Sequence, residues 1–170
     1  MKKFFIVVLL LSLTGCDINS ISYVSNPIAQ VSNPILQAIQ KFGLDEKRNR
    51  RELQEYIGVD PVRTEWCAAF INSVLEESGI TSNKDHDAPL TARSFLDWGT
   101  SVKKENIKAG DIVIFPRGDS PLSGHAGFYI RTLKINGVEY YVILGGNQTN
   151  KVSIVEYRAS TALSIRRSPS

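Results

Sequence analysis

The sequence predicts an α+β domain in which N-terminal helices pack on an antiparallel sheet of about five strands. Apolar residues recur at helical spacing in the first half of the chain. From about residue 110 the pattern changes to that of short strands, and Asn136-Gly137 is the signal of a two-residue hairpin turn. Helices followed by antiparallel strands are typical of the α+β class.

Residues 1–15, MKKFFIVVLLLSLTG, are predicted to be an export signal. Two lysines precede an apolar run of about half the roughly 20 residues that a transmembrane helix requires. The end of this segment, LTGC, resembles a bacterial lipobox, so we expect cleavage before Cys16 and lipidation of that cysteine. Residues 16–32 are polar and rich in Ser, Asn and Pro, and they are predicted to form a flexible tether to the membrane.

Charge and motif content exclude several classes of protein. Removing Lys2 and Lys3 with the leader leaves 18 basic and 17 acidic side chains, which gives no electrostatic case for a nucleic-acid partner. The sequence has no zinc-type cysteine spacing and no glycine-rich phosphate loop, so we expect neither a metal nor another cofactor. Residues 33–170 are enough for one domain with its own core, which we expect to be a monomer.

Three helices and one short helix are predicted before residue 100. Asn33 can cap the first helix, and Pro34 fits its first position. The second spans about 45–57, the third lies in TEWCAAFINSVLEES, and the short one spans 91–98. The predicted strands are residues 111–115, 125–133, 139–144, 152–157 and 162–166.

The third helix contains Cys67, which would be the only thiol left once Cys16 is lipidated. Because exported cysteines normally pair, a lone thiol is either a small apolar core residue or a functional group. Thr64 as N-cap would place Cys67 in the first turn, beside unpaired amides that favour thiolate. Asp60 as N-cap would place it near the end of the second turn, and the residues alone leave both starts open.

A nucleophilic thiol needs a base, and the chain has two histidines. His86 lies in a polar stretch and is interpreted as an exposed loop residue, whereas His125, in SGHAGFYI, lies where a loop enters an apolar strand. The hairpin pairs His125 with Gln148 and Ala126 with Asn147, so the loop GGNQ lies beside the histidine. Strict alternation favours Gln148 as the orienting amide, and a bulge at the glycine pair would bring Asn147 round instead.

Four motifs, EWCAAF, GDIVIF, SGHAGFYI and LGGNQ, resemble in order and spacing the NlpC-type and CHAP papain-like amidohydrolases of bacterial cell walls. The resemblance is strongest to the small peptidase-like proteins with a WCAAF helix. It implies a papain-like fold with Cys67 as nucleophile in the first helical turn, His125 as base and Asn147 as orienter. Gln148 stays an alternative orienter, and Tyr56, upstream as in some relatives, is a candidate for oxyanion support.

The resulting hypothesis is a peptidoglycan hydrolase that cleaves an amide bond of the stem peptide through a thioacyl intermediate, with no metal. Two alternatives use the same cleft, namely a non-catalytic lipoprotein that binds cell-wall peptides and a thioester acyltransferase. The lipid would confine the protein to a membrane surface facing the periplasm or cell wall, and Asp17 resembles an inner-membrane retention signal. Asp111 matches a turn position of the family, and Glu65, near the thiol, is expected to face solvent.

Overall fold

The computed structural model of the chain describes residues 33–168. The predicted export signal, the lipidation site Cys16 and the tether lie outside the described residues. Within residues 33–168, no helix is both long and apolar enough to cross a membrane.

Three α-helices precede a six-stranded sheet. The helices are α1 (Pro34–Gln40), α2 (Arg50–Ile57) and α3 (Cys67–Glu77), followed by a short 3₁₀ helix, Ala92–Leu96. The strands are β1 (Thr100–Ser101), β2 (Ile112–Pro116), β3 (Gly124–Ile135), β4 (Val138–Gly145), β5 (Ser153–Arg158) and β6 (Ser164–Arg167). Two more 3₁₀ turns, Lys104–Asn106 and Ala159–Thr161, precede β2 and β6.

All strand pairs are antiparallel, in the order β1-β6-β2-β3-β4-β5. The predicted α+β class is therefore confirmed, and each of the five predicted strands is present with slightly different ends. The additional strand, β1, is a two-residue edge strand with both residues exposed, too short to leave an apolar pattern in the sequence.

The helices pack on one face of the sheet, and a second apolar cluster lies on the other face. In β2, Ile112 and Ile114 belong to the helix-facing core, whereas Val113 and Phe115 belong to the second cluster. All four side chains are buried, which explains the continuous apolar run IVIF of this strand. Helix α3 lies centrally in the first core, with every residue from 67 to 75 buried.

A side-chain cap sets the start of α1, and a side-chain-stabilised turn precedes α2. Asn33 accepts a hydrogen bond from the Ile35 amide at 3.0 Å, as predicted for the N-cap of α1. Helix α2 begins later than predicted, because the Asp45 carboxylate accepts two backbone N–H groups at 3.0 Å each and holds the following residues in a turn. Gly58 ends α2 in the left-handed conformation, with φ of 74°.

The β3–β4 hairpin has the predicted turn but a bulge in an unexpected place. The register expected from the turn holds as far as the pair Arg131↔Val142. It then shifts by one residue between Tyr129 and Arg131, within β3, and not at the glycine pair that follows β4. Because β4 ends at Gly145, neither candidate amide of the GGNQ loop lies on the strand itself.

Candidate active site

Cys67 is the first residue of α3 and is 2% exposed. Its predicted first-turn position is confirmed, but the N-cap is Trp66 and not Thr64 or Asp60. The Asp60 carboxylate instead accepts from the Arg50 side chain at 3.0 Å. The Trp66 side chain forms no capping hydrogen bond, so the N-cap residue leaves the first-turn amides of α3 unoccupied.

The side chain of Trp66 packs against neighbouring residues and fixes the start of α3. Its indole N–H donates to a Glu46 carboxylate oxygen at 3.4 Å, and its ring meets Phe70 edge-on at 6.3 Å. The GGNQ loop crosses directly over this pair, since a Cβ on Gly146 would lie 2.5 Å from Trp66 and 2.7 Å from Phe70. Only glycine permits this approach, which brings the loop to the thiol end of the helix.

His125, the second residue of β3, is 2% exposed and is held by Gln148. The two side chains meet at 3.2 Å between His125 Nε2 and Gln148 Oε1. The two hydrogens of the Gln148 amide nitrogen are shared among three backbone carbonyls within hydrogen-bonding distance, those of Ile143, Gly145 and Ser153. Because the NH₂ group faces these carbonyls, Oε1 faces the histidine, and we assign the hydrogen of the neutral ring to Nε2.

The other ring nitrogen, His125 Nδ1, has no hydrogen-bond partner. Among residues 33–168 it shares this property with one other buried side-chain atom, Ser78 Oγ. The Cys67 sulfur lies in hydrogen-bonding contact with the backbone amides of Ala126 and Ala68. The thiol is therefore beside the residue that directly follows the histidine, and the free Nδ1 is an acceptor in the assigned tautomer.

Burial raises the pKa of the Cys67 thiol. The amides of Ala126 and Ala68 and the positive charge of Arg117 act in the opposite direction, and the Glu65 carboxylate adds to the increase. The first-turn amides thus favour thiolate, as expected from the sequence, but burial outweighs them. At neutral pH the resting group is the thiol.

The pKa of His125 is lowered to about 4, mainly by burial and further by the charge of Arg117. The hydrogen bond to Gln148 opposes this decrease. One face of the imidazole is covered by Tyr157, whose ring stacks on it at 5.4 Å and 21°, and also on Phe115 at 4.5 Å. The histidine is therefore neutral at rest and fixed in orientation.

The geometry corrects the expectation that Asn147 orients the histidine. Its side-chain nitrogen donates to Glu65 Oε2 at 2.7 Å, and its φ is 56°. This left-handed residue turns the chain after β4, so that the next side chain, Gln148, reaches His125. Of the two amides that the sequence left open, Gln148 is the one that lies against the imidazole.

The structure does not bring Tyr56 to the thiol. Its hydroxyl donates to Glu77 at 2.8 Å, and Glu77 is the last residue of α3, about 15 Å from Cys67 along the helix. The Tyr56 hydroxyl is therefore occupied by Glu77, which does not favour Tyr56 as the candidate for oxyanion support. His86, as interpreted from the sequence, lies in a loop, where its Nδ1 accepts the Ala88 amide at 3.0 Å.

A cleft of about 210 Å³ opens at Cys67. Its other lining residues are Glu65, Leu90, Thr91, Ala92, Arg117, Leu122, Ser123 and Gly124. A larger cavity of about 450 Å³ beside α2 is lined by Arg50, Arg51 and Glu55 and has no thiol or histidine. Within residues 33–168, no three His, Cys, Asp or Glu side chains are grouped as metal ligands would be.

Arg117 and Tyr157 were not identified from the sequence. Arg117 follows β2 in a polar loop, and Tyr157 lies on an alternating edge strand, so neither position carries a local signal. Only the sheet order brings them to the site. Glu65 faces solvent as expected, with 75% of its side chain exposed, but it also contacts Arg117.

No family model matches the sequence, and no curated protein matches it. Solved structures match its fold. A Staphylococcus aureus protein described as similar to a lipoprotein of the NLP/P60 family has a TM-score of 0.52 at 18% identity, over 84% of this chain and 42% of its own. A Bacillus cereus protein of the NlpC/P60 family has a TM-score of 0.41 at 20% identity, over 60% of this chain and 31% of its own.

This chain therefore spans less than half the length of either protein. At this identity the likeness concerns the fold. The domain has the papain-like fold of NlpC type that the four sequence motifs predicted.

Proposed function

We propose that the chain is a cysteine hydrolase that cleaves an amide bond in the stem peptide of peptidoglycan. The observation that carries this proposal is the unequal environment of the His125 ring. Gln148 holds Nε2, whereas Nδ1 is buried without a partner, and the thiol at the start of α3 contacts the backbone amide of Ala126, the residue that follows the histidine. A purely structural buried histidine normally has both nitrogens satisfied, so the free Nδ1 is suited to proton transfer. The NlpC-type fold and the predicted lipoprotein leader support a cell-wall substrate.

The proposed reaction begins with two neutral groups. Cys67 gives its proton to His125 Nδ1, and the thiolate attacks the amide carbonyl carbon. The carbonyl π electrons move to oxygen, and the uncapped first-turn amides of α3 are suited to stabilise this oxyanion. Burial raises the energy of the separated charges, so proton transfer and attack are expected to be coupled.

Breakdown of the tetrahedral intermediate uses the same histidine. The imidazolium protonates the departing amine, the C–N bond breaks, and an acyl thioester remains on Cys67. His125 then removes a proton from water, the hydroxide attacks the thioester, and Cys67 leaves and regains the proton. Gln148 keeps the ring in the same tautomer throughout, and Tyr157 restricts its rotation.

One observation favours a second function, which is binding of cell-wall peptides without cleavage. Cys67 is 2% exposed and the pKa of its thiol is raised, as in a cysteine that acts as a small core residue. An acyltransferase would share the thioester and differ only in the acceptor. The experiment below separates all three functions.

The test is incubation of purified peptidoglycan with the protein and with its Cys67→Ala variant. We expect fragments from the wild type and loss of nearly all activity in the variant, because the thiol and its base act as a unit. Equal release by both proteins would contradict the nucleophile assignment. Peptide binding by both without any release would support the binding function, and product masses would show the bond cut or an added acceptor.

We further propose that the mature protein is a monomer whose lipidated Cys16 anchors it to a membrane facing the cell wall. The support is the LTGC segment after an apolar leader, and Asp17 favours retention at the inner membrane. The intact mass of the purified protein should equal that of a chain beginning at Cys16 with acyl chains attached. Recovery with outer membranes would contradict the retention signal.

A further inference from the structure

A polar cluster at the rim of the cleft takes no part in the proposed reaction as described. It consists of Glu65, Arg117 and Asn147, here called the rim cluster. Arg117 pairs with the Glu65 carboxylate through Nη1 and donates to the Asn147 carbonyl through Nη2 at 3.1 Å. The Asn147 side chain donates to the same Glu65 oxygen at 2.7 Å. Each of the three residues thus contacts both others.

The rim cluster joins the three segments that carry the proposed chemistry. Glu65 lies two residues before the thiol, and Asn147 directly precedes Gln148. Arg117 follows β2, which pairs with β3 at the position of His125. Arg117 therefore connects the start of α3 to the turn that holds Gln148, from a position beside the histidine strand.

The cluster also places an uneven charge at the thiol. The Arg117 side chain is 39% exposed and lines the cleft with Cys67, whereas Glu65 is 75% exposed. Water screens the carboxylate more than the guanidinium. Accordingly, Arg117 lowers the pKa of Cys67 more than Glu65 raises it, and it also lowers the pKa of His125.

We propose that Arg117 is a positioning residue that holds the cleft rim together and sets a net positive potential at Cys67. The proposal rests on the proposed function only in taking Cys67 as the nucleophile. Within residues 33–168, the charged groups that act on the thiol are Arg117 and Glu65, and the titratable Tyr157 lies close enough for its pKa to be affected by Cys67. His125 directly precedes Ala126, whose amide contacts the sulfur. A positive potential stabilises both the thiolate during attack and the oxyanion that follows.

The experiment measures the rate of Cys67 alkylation by iodoacetamide between pH 6 and 10 in the wild type and three variants. Arg117→Gln is expected to slow alkylation at pH 7.5 by about tenfold and to move the profile to higher pH, because it removes the favourable charge. Arg117→Lys keeps the charge without the two-sided contact and should restore most of the rate. Glu65→Gln should accelerate alkylation by about threefold, because it removes the opposing carboxylate.

The opposite signs of Arg117→Gln and Glu65→Gln distinguish an electrostatic role from a merely structural one. Both variants remove the same ion pair, so loss of structure alone would shift both profiles in the same direction. That outcome, or a profile unchanged in Arg117→Gln, would overturn the proposal. If Arg117→Gln does not fold, as judged by its melting temperature, the sign of the Glu65→Gln effect decides. Alkylation needs no peptidoglycan, so failure of the hydrolase proposal leaves this readout intact.

Discussion

Asp111 and His125 are both buried polar residues at strand ends, on neighbouring strands, but their surroundings differ. Asp111 is 3% exposed, accepts the Lys108 amide at 2.8 Å and forms two hydrogen bonds of 2.7 Å with Arg167. His125 is 2% exposed, and one ring nitrogen has no partner. Burial alone therefore does not identify a functional group. A satisfied buried group stabilises the fold, whereas an unsatisfied one is available for chemistry.

The largest effect is expected when the side chain that holds His125 is removed. Gln148→Met keeps similar volume but leaves the imidazole free to change tautomer. We expect release of peptidoglycan fragments to fall about 10³-fold, within the range that general acid–base catalysis contributes. Asp111→Ala is the control and should retain activity where it remains folded. Activity of Gln148→Met within threefold of wild type would contradict the assigned role.

A second prediction concerns the pH dependence of stability. Because the pKa of His125 is about 4 in the folded protein and ordinarily about 6.5, the unfolded chain alone binds a proton between these values. Above pH 6.5 the contribution of His125 to the free energy of unfolding does not change with pH. Below pH 6.5 the free energy of unfolding falls, by up to about 3 kcal/mol as the pH drops to 4.

Urea unfolding at pH 4.5 and 7.5 measures this effect. His125→Gln should reduce the difference between the two pH values, since the histidine no longer takes up a proton on unfolding. His86→Gln, at the other histidine and away from the cleft, is the matched control for removal of a histidine. Equal pH dependence in the wild type and His125→Gln would show that the histidine is not the cause.

Asp111, whose hydrogen bonds are all formed, should affect the stability of the fold and not the proposed reaction. Asp111→Ala leaves Arg167 without its carboxylate, and we expect it to lower the free energy of unfolding by about 2 kcal/mol. This is less than for a fully buried pair because the Arg167 side chain is 36% exposed. Urea unfolding at neutral pH provides the measurement. No change in stability would mean that the pair is replaced by water without cost.

The parts of the fold that depend on local sequence could be predicted. The Asn136-Gly137 turn, the glycine that ends α2 and the apolar periodicity of α3 each act within a few residues. They gave the correct class and the hairpin, whereas the first-turn position of Cys67 came from the family resemblance and not from local patterns. The four motifs added the NlpC-type fold.

The choice between Asn147 and Gln148 could not be made from local sequence. It depends on a one-residue bulge between Tyr129 and Arg131 and on where β4 stops, and both are set by packing across the sheet. The role of Arg117 could not be predicted from local sequence for the same reason, since its partner Glu65 lies 52 residues away. Long-range contacts thus decide the site, whereas short-range patterns decide the elements that carry it.

The smallest expected effect gives the cleanest test of the two neighbouring amides. Asn147 has a φ of 56°, a conformation in which glycine is unstrained, so Asn147→Gly removes the side chain while preserving the turn. We expect its activity to stay within about threefold of wild type, because the amide contacts Glu65 and not the histidine. Asn147→Ala should lower stability by about 1 kcal/mol through strain in the left-handed region. If Asn147→Gly instead lost activity as fully as Gln148→Met, the orienting role would belong to Asn147, and the turn would have to reverse these two side chains when substrate binds.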